Sequence, residues 1–266
     1  MALEIIEHLV EIESNTNPIV FVHGANHGAW CWSEYFMSYF SSKGYTSYAL
    51  SLRGHGKSEG KERINSFSLA DYEEDVLEVI KSLKKKPILI GHSMGGAIVQ
   101  KIIHNDSDKI KAAVLMSTMS PEGMIRDLLR VLFTRFRQSG KLSLLNKGKK
   151  DGFPYEIFFS KELSLDRRNS YISLLQAESH KAVKEMLSRI VPIPTKINVP
   201  LLILGSKDDW FFNEKAVKRI GKAYRVKPII FENISHDMML DPNWKTVANS
   251  IIGFLNESKF KSSEVE

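Results

Sequence analysis

The 266-residue chain holds a single cysteine, Cys31, so no disulfide can form within it and its stability must come from packing. Long apolar runs are missing too: no stretch approaches the roughly 20 residues of a membrane-spanning helix. Met1 to Ile12 carries Glu4, Glu7 and Glu11, with neither a basic start nor a long apolar centre, which is not the pattern of a secretion signal. His, Asp and Glu are scattered without metal-ligand spacing. No segment repeats, and no nucleic-acid-binding motif accompanies the basic residues. These absences predict a soluble, cytoplasmic protein with no metal, no cofactor, no nucleic-acid partner and no integral membrane segment.

What is present is a chain that is 43% hydrophobic and 26% charged, enough for one globular domain with a sizeable core, or a core carrying an insertion. The net charge is +6, and much of the excess is local. Lys84-Lys85-Lys86 closes a predicted helix, where cations suit the dipole. Arg126, Arg130, Arg135, Arg137, Lys141, Lys147, Lys149 and Lys150 cluster mid-chain and read as a solvated basic face, with weak attraction to an anionic surface as the second reading.

Short apolar runs alternate with helical periodicity over most of the chain. Leu3 to Glu13 reads as an edge strand, and Ile19–Val22, Thr46–Leu50, Pro87–Ile90, Ile110–Ser117, Val199–Leu204 and Lys227–Phe231 read as core strands. Helices are predicted over Trp30–Lys43, Leu69–Leu83, Met94–His104, Asn213–Tyr224 and Trp244–Leu255, with a frayed tail from Asn256. Repeated strand–helix units predict an α/β fold with a mostly parallel sheet covered on both faces. The alternation stops between about Ser120 and Ile197, where only helical patterns occur, among them Met124–Arg137 and one or two helices over Asp166–Arg189. A structureless loop of that length is improbable in a compact domain, so 120–197 is predicted to be a helical cap on a core made of 1–119 and 198–266.

Between the strand ending at Ile90 and the helix starting at Met94 lies Gly91-His92-Ser93-Met94-Gly95, a G-x-S-x-G sequence. A sharp strand-to-helix turn needs glycines where side chains would collide. It lifts the Ser93 hydroxyl above the sheet at a helix N-terminus, where the dipole favours developing negative charge. Asp208, Asp209 and His236 also fall just after predicted strands, so they share the sheet edge at which ligands bind in such folds. The chain order is Ser, Asp, His.

On Val22-His23-Gly24-Ala25, Arg53-Gly54-His55-Gly56-Lys57-Ser58, Gly91-His92-Ser93-Met94-Gly95-Gly96, Leu204-Gly205-Ser206-Lys207-Asp208-Asp209 and Ser235-His236-Asp237-Met238-Met239, the chain resembles the α/β-hydrolase superfamily over nearly its whole length. The loop from His23 to Trp30 is similar to that of plant methylesterases and hydroxynitrile lyases. Arg53-Gly54-His55-Gly56 is closer to the monoacylglycerol-lipase and esterase branches. The resemblance implies Ser93 as nucleophile, His236 as base, and oxyanion donors at the backbone N–H groups of Ala25 and Met94. It implies an acid immediately before a short apolar pair and a helix start. Asp209, followed by Trp210-Phe211-Phe212-Asn213, fits that pattern, and Asp208 is the alternative. Arg53 is expected to brace carboxylates, and His55 to stay out of the chemistry.

The implied activity is hydrolysis of a carboxylic ester with a hydrophobic or aromatic group. A hydroxynitrile lyase-like or carbon–carbon bond hydrolase, a cofactor-free perhydrolase and a non-enzymatic small-molecule receptor stand as alternatives, since fold does not fix function. Asn26, His27, Trp210, Met238, Phe133 and Phe158 are the expected ligand contacts. Phe136, Phe159, Leu174, Leu175, Met186 and Leu187 are further candidates for the cap lining.

Overall fold

The computed structural model describes residues 1–10, 16–135, 137, 141, 143–193 and 197–260. Glu11–Glu13 of the expected edge strand, Phe136, Pro194 and residues 261–266 lie outside the described residues. Seven strands form one sheet: β1 (Glu4–His8), β2 (Ile19–Val22), β3 (Ser47–Ser51), β4 (Ile88–His92), β5 (Ala112–Met116), β6 (Leu201–Ser206) and β7 (Ile229–Phe231). Their order is β1-β3-β2-β4-β5-β6-β7, with β1 antiparallel to β3 and every other pair parallel.

The central strands read as unbroken apolar runs because both faces are covered. Along β2, Ile19 and Phe21 enter one core while Val20 and Val22 enter the other. Along β5, Ala112, Val114 and Met116 alternate in the same way with Ala113 and Leu115. One face is packed by α1 (Trp30–Ser33), α2 (Phe36–Ser42) and α10 (Trp244–Phe260), the other by α3 (Leu69–Ser82), α4 (Met94–Asn105) and α9 (Glu214–Tyr224).

The expected single helix over Trp30–Lys43 is instead two. Tyr35, at φ −138°, breaks it, and the break lets Trp32, Phe36 and Phe40 all reach the Phe21 ring, at centroid distances of 4.8, 6.2 and 5.7 Å. The aromatic stripe is core. α3 starts where its sequence predicts, because Ser68 and Asp71 form a reciprocal capping box.

Among the described residues, the chain between β5 and β6 forms no strand. It contains α5 (Ile125–Thr134), α6 (Ser143–Asn146), α7 (Leu165–Leu174) and α8 (His180–Met186). Ser164 and Ser179 cap α7 and α8, so the Asp166–Arg189 pattern resolves into two helices. Among the described residues no helix is long and apolar enough to cross a membrane.

The register sets the site. Val22 pairs with Gly91, His92 with Met116, and Met116 with Leu204. The carboxyl ends of β2, β4, β5 and β6 are therefore level, and the loops that leave them open side by side.

Candidate active site

β4 ends at His92 and α4 begins at Met94, so Ser93 alone makes the turn. It does so at φ 52°, ψ −116°, a conformation that costs an L-residue energy and is held by its surroundings. The Ser93 N–H donates to the Met116 carbonyl at 3.0 Å, and Thr118 Oγ1 donates to the Ser93 carbonyl at 2.6 Å. The flanking glycines are steric requirements. A Cβ at Gly95 would stand 2.2 Å from the Val22 carbonyl oxygen, and one at Gly91 would stand 2.5 Å from the Gly95 carbonyl oxygen. The close approach of α4 to β2 and β4 leaves no room for either.

Asp209 follows β6 and is buried. Its Oδ1 accepts from the N–H groups of Phe211 (2.7 Å) and Phe212 (2.9 Å), and both carboxylate oxygens lie 3.0 Å from His236 Nδ1. Burial alone would raise its pKa; the His236 charge and these donors outweigh it and hold the group below the usual carboxylate range. Because Asp209 accepts at Nδ1, that nitrogen carries a proton. Asp208 is exposed and accepts from the Asn233 N–H at 2.6 Å, bracing the turn after β7. Of the two aspartates, only Asp209 meets the histidine.

Ser93 and His236 line one cavity of about 230 Å³ together with Ala25, Asn26, His27 and Phe158. Met94 opens α4, and among the described residues its N–H has no hydrogen-bond acceptor. The direction of the Ala25 N–H follows from His23. His23 Nε2 accepts from the Leu52 N–H at 3.0 Å, so Nδ1 carries the hydrogen and donates to the Gly24 carbonyl at 2.8 Å. That carbonyl and the Ala25 N–H belong to one peptide plane and point opposite ways, so tying down the first aims the second. Burial, and then the charge of His55, push the His23 pKa well down, which keeps the ring neutral.

Three expected contacts are elsewhere. Phe133 is 85% exposed, because α5 turns Met124, Asp127 and Leu128 to the cavity and leaves Phe133 on its outer side with Ile125, Leu129 and Leu132. Trp210 is buried away from the cavity, with the Arg135 guanidinium 5.6 Å from its ring and its carbonyl accepting from Arg130. Its neighbours Phe211 and Phe212 line the cavity instead, because the Asp209 bonds to their N–H groups turn that strand exit inward. Met238 is fully buried in the core, and its N–H donates to the His236 carbonyl. Of the other cap candidates, Met186 lines the cavity. Phe159 and Leu175 are core, Leu187 is half-buried outside it, and Leu174 is 47% exposed.

Several lining residues carry no signal in the sequence. Glu178 reaches the cavity from the segment before α8, and buried Asp127 reaches it from α5, paired with Arg219 at 2.6 Å. Met119 and Val183 add apolar wall. Arg53 braces α3 as expected, with Nε 2.8 Å from Asp75 Oδ1 and Nη1 3.2 Å from Asp71. His55 lies 3.0 Å from Glu178. His104 and His180 are exposed and His8 is half-buried.

His92, His236 and Asp237 place donor atoms within 4.8 Å of one another. His92 Nε2 is spent on the His236 carbonyl (3.0 Å) and Asp237 Oδ2 on His27 (2.8 Å), while His92 Nδ1 and Asp237 Oδ1 are buried with no hydrogen-bond partner among the described residues. Burial, and then the neighbouring His236, push the His92 pKa down to about 3, so this ring is neutral.

A mostly parallel sheet with a serine on a strained strand-to-helix turn defines an α/β-hydrolase fold. The chain belongs to the Hydrolase_4 family, described as serine aminopeptidase, S33, whose model it matches over residues 13–243. It is 36% identical over 112 residues to methyl jasmonate esterase 1 of Vitis vinifera, a stretch covering 41% of this chain and 42% of that one. It is 31% identical over 123 residues to putative esterase/lipase 2 of Mycoplasma pneumoniae, covering 46% and 45%. The chain thus spans under half the length of these curated relatives. Over 96% of its length it superposes on 95% of an esterase from Exiguobacterium antarcticum, with a TM-score of 0.75 and 22% identity. A monoacylglycerol lipase from Paleococcus ferrophilus gives a TM-score of 0.75 at 21% identity, covering 97% of this chain and all of that one.

Proposed function

We propose that the protein is a serine hydrolase that cleaves a carboxylic ester through an acyl-enzyme on Ser93. The observation that carries this reading is the buried Asp209–His236 pair beside a serine held at φ 52° in the same cavity. His236 Nε2 takes the Ser93 proton as Oγ attacks the ester carbon, and Asp209 stabilises the imidazolium that forms. The oxyanion is held by the N–H groups of Ala25 and Met94; such a donor contributes about 2.7–4 kcal/mol to the transition state. His236 returns the proton to the leaving alkoxide, so an alcohol departs. Water, deprotonated by His236, then attacks the acyl carbon; the acyl–Ser93 bond breaks, the acid is released and His236 returns the proton to Ser93 Oγ.

The wall of Met119, Leu128, Phe158, Val183, Met186 and Phe211 supports a small ester with a hydrophobic or aromatic group. Segment 120–197 acts as a helical cap over the core of 1–119 and 198–266, since α5 and α8 both contribute to that wall. The plant methylesterase similarity supports a small alcohol as leaving group. The single, buried Cys31 fits a reducing compartment such as the cytoplasm. The exposed apolar side of α5, with Arg126 beside it, supports weak contact with an anionic surface, checked by co-sedimentation with anionic against zwitterionic vesicles.

The test is turnover of a graded panel of p-nitrophenyl and methyl esters by wild type and Ser93→Ala. Loss of at least about a thousandfold in kcat for the variant is expected. Equal rates would end the reading.

A further inference from the structure

The peptide joining Ala25 to Asn26 is gripped at both ends by charged groups. Its carbonyl accepts from His27 Nδ1 at 2.7 Å, and its N–H donates to Glu178 Oε2 at 3.2 Å. The far side of each grip is itself anchored. His27 Nε2 lies 2.8 Å from Asp237 Oδ2, with both side chains fully buried. Glu178 Oε1 accepts from Tyr72 Oη (2.9 Å) and the Ser179 N–H (2.7 Å), and Oε2 lies 3.0 Å from His55 Nε2.

The two nitrogens of His27 face a carbonyl and a carboxylate, both acceptors, so both must carry hydrogen and the ring is an imidazolium. Burial alone would lower its pKa. The Asp237 charge and hydrogen bond outweigh burial, the Ala25 carbonyl adds to them, and the ring's pKa stands above the ordinary imidazole value. The groups facing His27 are Asp237 and Glu178, which favour the charge, and the rings of His92 and His23, which are neutral. For Glu178, burial is outweighed by His55, the Ser179 N–H and the Tyr72 hydroxyl, and the group stays ionised below its usual range.

Positive charge thus sits at the carbonyl end of this peptide and negative charge at its N–H end, each aligned with the peptide's own dipole. Between them Asn26 is held at φ 69°, in the left-handed region. Gln176 adds two further ties: its N–H donates to the Asn26 carbonyl (3.0 Å), and its carbonyl accepts from Asn26 Nδ2 (2.8 Å). The residue so fixed directly follows Ala25.

We propose that His27 with Asp237, and Glu178 with His55, form a two-ended electrostatic clamp that positions the Ala25 N–H as an oxyanion donor. The inference rests on the serine-hydrolase reading of Ser93 and Ala25. His27, Asp237 and Glu178 are positioning residues: both nitrogens of His27, Asp237 Oδ2 and Glu178 Oε2 are committed to the clamp, so they act through the loop. Glu178 belongs to the helical segment between β5 and β6, so the donor is set only while residues 176–178 are docked on the loop after β2.

The experiment is kcat and KM across pH for wild type, His27→Gln, Glu178→Gln and Asp237→Asn on one p-nitrophenyl ester. Rates are expressed per site titrated by a fluorophosphonate. A misplaced transition-state donor lowers kcat and spares KM, so His27→Gln and Glu178→Gln should lose about 10- to 100-fold in kcat with KM within about threefold. Asp237→Asn removes the charge that keeps His27 protonated, so burial wins and the ring discharges as pH rises. Its rate should fall on the alkaline side, where wild type holds its plateau.

A purely structural role would lower the thermal midpoint and scale the rate equally at all pH values. Per-site kcat within twofold of wild type in both His27→Gln and Glu178→Gln overturns the clamp, and these two variants decide the matter if Asp237→Asn does not fold. Wild type that takes no fluorophosphonate overturns the serine-hydrolase reading and the clamp with it. Full labelling with unchanged kcat in the variants overturns the clamp alone.

Discussion

Asp208 and Asp209 are adjacent and chemically identical, yet their surroundings assign them different work. Asp209 accepts two backbone N–H groups and the proton of His236 Nδ1, whereas Asp208 is exposed and holds the turn at Asn233. Asp209→Asn keeps the shape but offers a donor where His236 Nδ1 must donate, so it favours the wrong tautomer. In the best-studied triad that change lowers kcat about 10⁴-fold. A loss of that order is expected here, with KM little changed, while Asp208→Asn should stay within about threefold. Steady-state kinetics of the two single variants separates them, and comparable losses would contradict the assignment.

At the scale of the element, the turn at Ser93 is built by what its neighbours cannot tolerate. Gly95→Ala places a Cβ 2.2 Å from the Val22 oxygen and 2.6 Å from that of His23, so α4 must move off β2. Both contacts are backbone, which cannot rotate away. A destabilisation of about 3 kcal/mol or more is expected, with loss of whatever activity the turn supports, read from a denaturant midpoint and an ester assay.

This turn was legible in the sequence because glycine spacing, a strand and a helix coincide there. β2, β4 and β5 were legible because buried strands read as unbroken apolar runs. The break at Tyr35 was not, since an aromatic stripe at helical spacing fits one helix as well as two; only the position of the Phe21 ring decides. Trp210 and Phe211 differ by one residue in a loop, and their orientation is set by Asp209, a contact invisible to periodicity. Glu178 was invisible for a related reason. It sits 152 positions from Asn26, and nothing in its local sequence marks it.

Across the whole molecule, the buried histidines set how stability responds to pH. His23 and His92 are held neutral, His92 with its pKa down to about 3, while in the unfolded chain each takes a proton below about pH 6.5. Their contribution is therefore full at neutral pH and is lost as pH falls from about 6.5 toward 3. His27 has the opposite sign. Its raised pKa contributes stability that is complete below about 6.5 and is lost as pH rises through the folded value. The lowered carboxylates Asp209, Asp237 and Glu178 add a further loss only as pH falls below about 4. Unfolding free energy should thus peak near neutral pH and fall by about 1–3 kcal/mol per unit between pH 6 and pH 5, with two protons taken up on unfolding. Urea titrations at pH 5, 6, 7 and 8 check this; a stability that rises from pH 6 to pH 5 would contradict it.

In the proposed function, a sheet, a strained turn and a helical segment converge over the whole molecule to activate one serine. Intact mass after exposure to a fluorophosphonate tests it most directly, with Ser93→Ala alongside. A single adduct is expected on the wild-type chain and none on the variant. An adduct on both, or on neither, would contradict it.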